Sequence, residues 1–198
     1  MRFAAQTING MEDISSVEIK ELIDVKSEKL CEGRLVFDAA EQKAKELTYA
    51  TRSLLKIYEI VQDFEFENFD DLLEKAKVPE IKGTFVVRCQ RDGEHQFQSL
   101  DVEKDFGEKI FKKGNKVDLK NPENTIVVDI VGNRCLIGRD LTPKAYLSRR
   151  DYRIKAHPKS INACLAYDAV RLSGWTKEKT LLDPSCKDGI IPIEAALW

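Results

Sequence analysis

The 198 residues have the composition of an ordinary folded protein, with 42% hydrophobic and 33% charged residues and a formal net charge of −2. No segment approaches the about 18 apolar residues of a membrane span, and the N-terminus turns polar too early for a secretory signal, so we expect a cytoplasmic protein without a membrane partner. The five cysteines include no Cys-x-x-Cys pair and the two histidines stand alone, so the sequence predicts neither a disulfide framework nor a metal site.

The charge is distributed unevenly along the chain. Residues 1–80 contain 11 Lys and Arg against 18 Asp and Glu, whereas residues 81–155 contain 16 against 11. A basic segment inside an acidic chain is typical of a surface that binds nucleic acid. An ordinary solvated surface carries similar charges, so the charge alone leaves both interpretations open.

The first third of the chain alternates between strand and helix patterns. Strands are predicted at 2–8, 33–37 and 54–66, and helices at 11–23 and 39–49. This order predicts a ferredoxin-like α+β domain.

The middle of the chain has clearer boundaries. A helix over 68–77 is predicted to begin with Asn68 as its N-cap, and a strand over 83–91 ends at Asp92-Gly93, which predicts a hairpin with 95–98 as the partner strand. A helix over 99–112 follows, with Ser99 as its N-cap and with an apolar face predicted to be buried, namely Val102, Phe106, Ile110 and Phe111. Two more strands, 125–131 and 134–138, flank Gly132-Asn133.

The last part of the chain starts with a charged, proline-containing connector. After it, a helix over 160–172 capped by Ser160, a short buried strand at 180–182 and a helix over 190–197 are predicted. This helix–strand–helix order predicts the beginning of a Rossmann-like α/β domain.

The segment Leu181–Ala196 is the most specific part of the sequence. Its pattern of strand, tight loop and helix is that of the first turn of an open α/β sheet, where ligands bind at the carboxyl end of the strand. The N-terminus of the helix offers N–H groups to a carboxylate or phosphate, and Asp183 can accept from a ligand ammonium or hydroxyl. Gly189 permits a turn that a side chain would obstruct. An ordinary turn without a ligand is the alternative.

These residues resemble motif I of the RNA methylases, Asp-Pro-x-Cys-Gly-x-Gly followed by Ile-Glu-Ala, whose loop holds the methionine part of S-adenosylmethionine. The matching positions are Asp183, Pro184, Cys186, Gly189, Ile193, Glu194 and Ala195. The resemblance implies S-adenosylmethionine as cofactor and assigns its binding to Asp183, Ser185, Cys186 and Gly189. The sequence departs from the family at Lys187, where the family has its first loop glycine.

A second resemblance lies upstream. The stretches Thr84–Arg91, Val102–Phe111, Lys116–Pro122 and Thr125–Gly138 resemble a THUMP domain, an RNA-binding module of several RNA-modifying enzymes. The predicted ferredoxin-like domain is similar to the one that accompanies THUMP. Since this pair grips the 3′ end of tRNA in the family, the resemblance implies tRNA or another structured RNA as partner, bound at its single-stranded 3′ end. The sequence does not predict the oligomeric state.

The resemblances divide the chain into a ferredoxin-like domain (1–66), a THUMP domain (67–141), a connector (142–158) and the start of a methyltransferase domain (159–198). RNA binding would depend on Lys and Arg side chains that neutralise phosphates, although each one could equally be a solvated surface charge. The candidates are Arg88, Arg91, Lys112, Lys113, Lys116, Lys120, Arg139, Lys144, Arg149, Arg150 and Arg153. Phe97 and Tyr146 are candidates for stacking on unpaired bases.

The sequence is therefore identified as the front part of a THUMP-containing RNA methyltransferase, most similar to enzymes that form N2-methylguanosine in tRNA. No Pro-Pro-aromatic loop occurs and no acidic residue for the ribose follows on a next strand, so we expect the 198 residues alone to be catalytically incomplete and name no catalytic residue. Three alternatives stay open: a non-catalytic RNA-binding accessory protein with a vestigial tail, a thiouridine or pseudouridine synthase, and an unrelated nucleotide-binding α/β protein.

Overall fold

The computed structural model describes residues 1–142, 146–154 and 157–198. They form two compact units: a first unit of residues 1–57 and 141–198, and a second unit of residues 58–140. The four domains predicted from the sequence stay a prediction, because a compact unit can combine distant parts of one chain.

The N-terminal part of the first unit has the order βαββαβ. Its elements are β1 (Arg2–Gln6), α1 (Glu12–Ile23), β2 (Ser27–Cys31), β3 (Arg34–Asp38), α2 (Glu41–Ala50) and the start of β4 (Lys56–Glu65). The strands lie in the order β2-β3-β1-β4, and β3 pairs antiparallel with both β1 and β2. This order is that of a ferredoxin-like domain, so the predicted fold is confirmed.

The strand β2 was not predicted from the sequence. Its residues, Ser27-Glu28-Lys29-Leu30-Cys31, lie at the edge of the sheet, where none of them is fully buried, and they carry little of the apolar alternation that indicates a strand. The core of this part lies between the sheet and its two helices. It is formed by fully buried side chains, among them Phe3, Ile19, Leu35, Leu47, Leu54 and Ile57.

The second unit starts within β4 and continues with two helices and four strands. These are α3 (Phe69–Lys75), β5 (Thr84–Asp92), α4 (Ser99–Lys112), β6 (Lys116–Val117), β7 (Asn124–Val131) and β8 (Arg134–Asp140). The strand order is β4-β8-β7-β5-β6, in which β5 runs parallel to β6 and β7 and the other pairs are antiparallel. Its core includes Val102, Phe106 and Ile110 of α4 and Ile126 and Ile137 of the sheet.

The predicted hairpin at Asp92-Gly93 is wrong. Residues 93–98 form no strand, and β5 pairs in parallel with β7 from Phe85 to Asp92. His95, which the hairpin would have placed on a strand, instead hydrogen-bonds through Nε2 to the carbonyl oxygen of Gly132 at 2.7 Å. The Asp-Gly signal indicated a turn correctly, but long-range pairing decides the partner strand.

Two details of the second unit also differ from the prediction. Gln98 is the N-cap of α4 and forms a capping box with Asp101, so Ser99 is the first residue of the helix and not its cap. Phe111, predicted to be buried, is 58% exposed because it lies on the face of α4 opposite Val102. The predicted cap of α3 is confirmed, since the side chain of Asn68 accepts from the amide of Asp71.

A close approach of two strands in the second unit requires glycine at position 138. A Cβ there would lie 2.4 Å from both the carbonyl oxygen of Glu59 and the ring of Tyr58. The Tyr58 hydroxyl donates to the buried carboxylate of Asp129 at 2.7 Å. The absence of a side chain at Gly138 therefore makes room for the Tyr58 ring in the core.

The C-terminal part of the first unit contains α5 (Ala163–Leu172) and α6 (Ile190–Leu197). Asn162, and not the predicted Ser160, caps α5, because its side chain accepts from the amide of Cys164. The predicted strand at 180–182 is wrong: these residues form no strand, and Leu182 is 85% exposed. The sheet of the described residues does not include this segment, so its backbone forms no ladder hydrogen bonds. None of the described helices is long and apolar enough to cross a bilayer.

Candidate cofactor loop and nucleic-acid interface

The cofactor loop, residues 183–189, leads directly into α6. Gly189 is the N-cap of this helix and has a left-handed backbone with φ 74°, which favours glycine. The first bond of the helix runs from the amide of Ile193 to the carbonyl oxygen of Gly189 at 3.0 Å. The amides of Ile190 and Ile191 therefore have no acceptor within the helix and can bind an anion such as a carboxylate.

The start of the loop is ordered by a side-chain turn. Oδ1 of Asp183 accepts from the amide of Ser185 at 3.0 Å. Ser185 and Cys186 are exposed, and the carbonyl oxygen of Cys186 accepts from the amide of Gly189 at 2.7 Å. The four predicted cofactor residues thus lie on one compact loop that combines a carboxylate, a hydroxyl and free amides.

Lys187 also adopts a left-handed conformation, with φ 50°. Such a backbone costs a residue with a side chain about 1–2 kcal/mol, which explains why a glycine fits this position in the RNA methylases. The ammonium group of Lys187 donates to the carbonyl oxygen of Lys159 at 2.9 Å, so its side chain extends toward the segment before α5.

Residues of the connector hold both the loop and the helix that follows it. Arg153 donates to Oδ2 of Asp188 at 3.3 Å and to the Ser160 hydroxyl at 2.9 Å. A hydrogen bond from the Ser160 hydroxyl lowers the pKa of Asp188 below its usual range, and the charge of Arg153 adds to this effect. The carboxylate of Asp188 is therefore part of the scaffold of the loop.

Glu194 of α6 is fully buried and binds two cations and a hydroxyl group. It accepts from Arg52 at 3.1 Å, from Nε of Arg150 at 2.9 Å and from the Tyr152 hydroxyl at 2.5 Å. Burial raises the pKa of Tyr152, and the carboxylate of Glu194 raises it further. A carboxylate without access to solvent needs such compensation, so these partners fix the position of α6.

Sequence reasoning missed one unusual carboxyl group. Asp168 of α5 is fully buried, and neither of its oxygens accepts a hydrogen bond from the described residues. Burial raises its pKa to about 8, and the nearby carboxylate of Glu18 contributes to this increase. The position of Asp168 one helical turn after the buried Cys164 is the sequence signal that could have identified it.

The predicted RNA-binding residues of the second unit differ in whether their side chains contact acidic or aromatic side chains of the protein. Lys113, Lys116 and Lys120 are exposed near the end of α4 and the start of the following segment. The others have acidic or aromatic neighbours: Lys112 contacts Glu108 at 2.7 Å, Arg88 contacts Glu103 at 3.6 Å, Arg139 contacts Glu59 at 2.5 Å, and Arg91 lies 5.5 Å from the ring centre of Phe97.

The predicted RNA-binding residues of the connector fall into three groups. Arg149 is exposed, whereas Arg150 and Arg153 bind Glu194 and Asp188 of the cofactor loop and its helix. Lys144 lies outside the described residues.

The two predicted stacking residues also have contacts within the protein. Phe97 packs against Phe69 with ring centres 5.0 Å apart, and Tyr146 lies beneath the ammonium group of Lys56 at 5.3 Å. The structure thus brings the cofactor residues together on one loop and distributes the basic residues over both units. In the described parts of the chain, no cluster of His, Cys, Asp and Glu could hold a metal ion.

Comparison with protein families identifies two domains. Residues 52–140 match the THUMP domain, and residues 150–198 match the RMKL-like methyltransferase domain. A protein of Archaeoglobus fulgidus named tRNA (guanine(6)-N2)-methyltransferase is 31% identical over 210 residues, which cover 100% of this chain and 53% of that protein. The chain spans about half the length of this relative and of a second one, a protein of Methanocaldococcus jannaschii with the same name.

Two further similarities differ in how much of the chain they cover. A tRNA sulfurtransferase of Thermoplasma volcanium is 38% identical over 113 residues, but the match covers only 55% of this chain and 23% of that protein. The crystal structure of TrmN from Thermus thermophilus superimposes with a TM-score of 0.73 at 28% identity, covering 100% of this chain and 62% of that one. The similarity to methyltransferases therefore includes the cofactor loop, whereas the similarity to this sulfurtransferase covers little more than half of the chain.

Proposed function

The chain belongs to the THUMP-containing RNA methyltransferases, and from this premise we propose that the protein binds tRNA and methylates the N2 atom of a guanine with S-adenosylmethionine as donor. The observation that carries the proposal is the combination of a THUMP domain with an RMKL-like methyltransferase domain in one chain. The cytoplasm is the proposed location.

The cofactor loop has the donors and acceptors that the amino-acid end of S-adenosylmethionine needs. The free amides of Ile190 and Ile191 would bind its carboxylate at the positive end of α6, and the carboxylate of Asp183 would accept from its ammonium group. Ser185 and Cys186 would line the same turn, and Gly189 would let the ligand approach the backbone. When bound, the cofactor supplies an electrophilic methyl group on its sulfonium.

The exposed basic residues would hold the RNA backbone. Lys113, Lys116 and Lys120 of the second unit and Arg149 of the connector are exposed, so they are the strongest of the predicted phosphate contacts. Their binding would release counterions and would weaken steeply with salt. The single-stranded 3′ end of tRNA is the part that we propose these residues engage.

The proposal is tested with the natural gene product at its full length. Purified protein is incubated with unmodified tRNA transcripts and methyl-labelled S-adenosylmethionine, and the digested nucleosides are analysed by mass spectrometry. We expect labelled N2-methylguanosine, and we expect Asp183→Asn to reduce its formation by at least about tenfold. Label in another nucleoside would refute the guanine assignment, and no label in any tRNA would refute the enzymatic function.

One observation favours a second function, that of an RNA-binding accessory protein without catalysis. Lys187 replaces a loop glycine of the RNA methylases, and its strained backbone departs from the family pattern. On this alternative, the full-length product binds tRNA but neither S-adenosylmethionine nor S-adenosylhomocysteine.

A further inference from the structure

We propose that Arg150, Tyr152 and Arg153, here called the connector clamp, position the cofactor loop and its helix instead of contacting RNA. This inference rests on the proposed function, because it assigns a role in cofactor binding to residues outside the loop. It also separates these residues from Arg149, their exposed neighbour in the chain.

The first half of the clamp holds the loop itself. Asp188 lies immediately before Gly189, the left-handed N-cap of α6. The guanidinium of Arg153 binds Asp188 at 3.3 Å and the Ser160 hydroxyl at 2.9 Å, and both side chains of the ion pair are mostly buried. Loss of Arg153 would leave Asp188 without its counter-ion and would free the loop to change its turn.

The second half holds the helix one turn further on. Arg150 and Tyr152 both donate to Oε1 of Glu194, whose side chain has no exposed surface. Because Glu194 lies five residues after Gly189, fixing its carboxylate also fixes the direction in which the first amides of α6 point. The loop and the helix are thus held by one short segment of connector.

The clamp is in turn attached to the N-terminal part of the first unit. The guanidinium of Arg150 donates to the carbonyl oxygens of Leu147 at 2.8 Å and Arg52 at 2.7 Å. Arg52 also binds the second oxygen of Glu194, and its amide donates to the buried carboxylate of Glu18 in α1. Buried, charge-assisted hydrogen bonds therefore fix the orientation of α6 relative to the ferredoxin-like domain.

Arg149 provides the internal control. It is exposed, and its side chain has no partner among the described residues, whereas Arg150 and Arg153 are 12% and 24% exposed at their side chains. A side chain that contacts phosphate needs to reach solvent, which favours Arg149 over its two neighbours.

The test compares single substitutions in the natural full-length gene product, with two binding readouts. S-Adenosylhomocysteine binding is measured by calorimetry, and tRNA binding is measured over a series of salt concentrations. We expect Arg153→Ala to weaken S-adenosylhomocysteine binding about fivefold to tenfold while tRNA affinity and its salt slope stay unchanged. Arg149→Ala is expected to do the opposite, with a salt slope lower by about 1.

Two further measurements distinguish positioning from general destabilisation. In a double-mutant cycle, Arg153→Ala and Asp188→Asn should be non-additive in S-adenosylhomocysteine affinity, since they remove one interaction. Amide hydrogen exchange at residues 186–191 should increase in Arg153→Ala and in Tyr152→Phe without ligand, while exchange in the second unit stays as in the wild type. If Arg153→Ala does not fold, the same measurements are made on Tyr152→Phe and Asp188→Asn.

Opposite results overturn the inference. A reduced salt slope for tRNA in Arg153→Ala with unchanged S-adenosylhomocysteine affinity would make Arg153 an RNA contact, and unchanged exchange at 186–191 would remove its effect on the loop. If the wild-type protein binds no S-adenosylhomocysteine, the proposed function fails, whereas the exchange measurement still decides whether the clamp holds the loop.

Discussion

Arg52 donates to the fully buried carboxylate of Glu194 at 3.1 Å, although the two residues are 142 positions apart in the sequence. Together with Arg150 and Tyr152, this contact joins the ferredoxin-like domain, the connector and the helix of the cofactor loop within the first unit. The N-terminal domain therefore helps to fix the position of the helix that follows the cofactor loop.

Removing the carboxylate of Glu194 should strongly destabilise the first unit. Glu194→Ala leaves two largely buried guanidinium groups without their counter-ion, and we expect the free energy of unfolding to fall by about 3 kcal/mol or more. Urea denaturation measures the change. Glu108→Ala is the control, because Glu108 pairs with Lys112 at a site where both side chains are exposed and an ion pair contributes little to stability. Equal effects of the two substitutions would contradict the assignment.

Asp168 should make the stability depend on pH. Burial, followed by the charge of Glu18, raises its pKa to about 8, so the folded protein keeps a proton that the unfolded chain releases near pH 4. The corresponding stability is fully present below about pH 4 and is lost as the pH rises toward 8. We expect Asp168→Asn to remove this dependence.

The measurement is the free energy of unfolding between pH 5 and 8. The wild type should lose up to about 1 kcal/mol per pH unit more than Asp168→Asn over this range. Parallel curves for the two proteins would show that Asp168 is ionised in the folded state like an ordinary surface carboxylate.

The left-handed backbone at Lys187 should be measurable as strain. Lys187→Ala and Lys187→Gly both lose the hydrogen bond to Lys159, but only glycine adopts φ 50° at no steric cost. We therefore expect the glycine variant to be more stable than the alanine variant by about 1 kcal/mol. Thermal unfolding of the two variants tests this, and an alanine variant of equal or higher stability would argue against a strained loop.

Two exposed lysines of the second unit should contribute to RNA binding through their charge. We expect Lys113→Ala combined with Lys116→Ala to weaken tRNA binding and to lower the salt slope by about 2, because each lysine neutralises about one phosphate. Lys177→Ala is the control, since this lysine is exposed but lies outside the predicted set. A salt slope that the double variant does not change would exclude this part of the surface.

Local sequence patterns predicted those elements whose apolar periodicity is strong. The helix α4 was predicted to end at its observed last residue, Lys112, and to start within one residue of its observed start, because Val102, Phe106 and Ile110 repeat at helical spacing. Sequence also predicted the loop that leads into α6, since its residues are contiguous, and cofactor binding by this loop stays a prediction. The hairpin at Asp92-Gly93 and the strand at 180–182 were wrong because strand partners are chosen by the whole fold.

Pairing between distant charges could not be predicted. Arg150 and Arg153 carry the same residue type as Arg149, and only the fold places Glu194 and Asp188 beside them. Burial of Asp168 likewise depends on the packing of α5 against other elements of the first unit, for which a single sequence gives little signal.

The central claim is that the loop from Asp183 to Gly189 holds the amino-acid end of the methyl donor. Titration of the natural full-length gene product with S-adenosylhomocysteine tests it most directly when wild type, Asp183→Asn and Lys177→Ala are compared. The account predicts saturable binding by the wild type and by Lys177→Ala, and at least about tenfold weaker binding by Asp183→Asn. Equal affinity of Asp183→Asn and the wild type would contradict it.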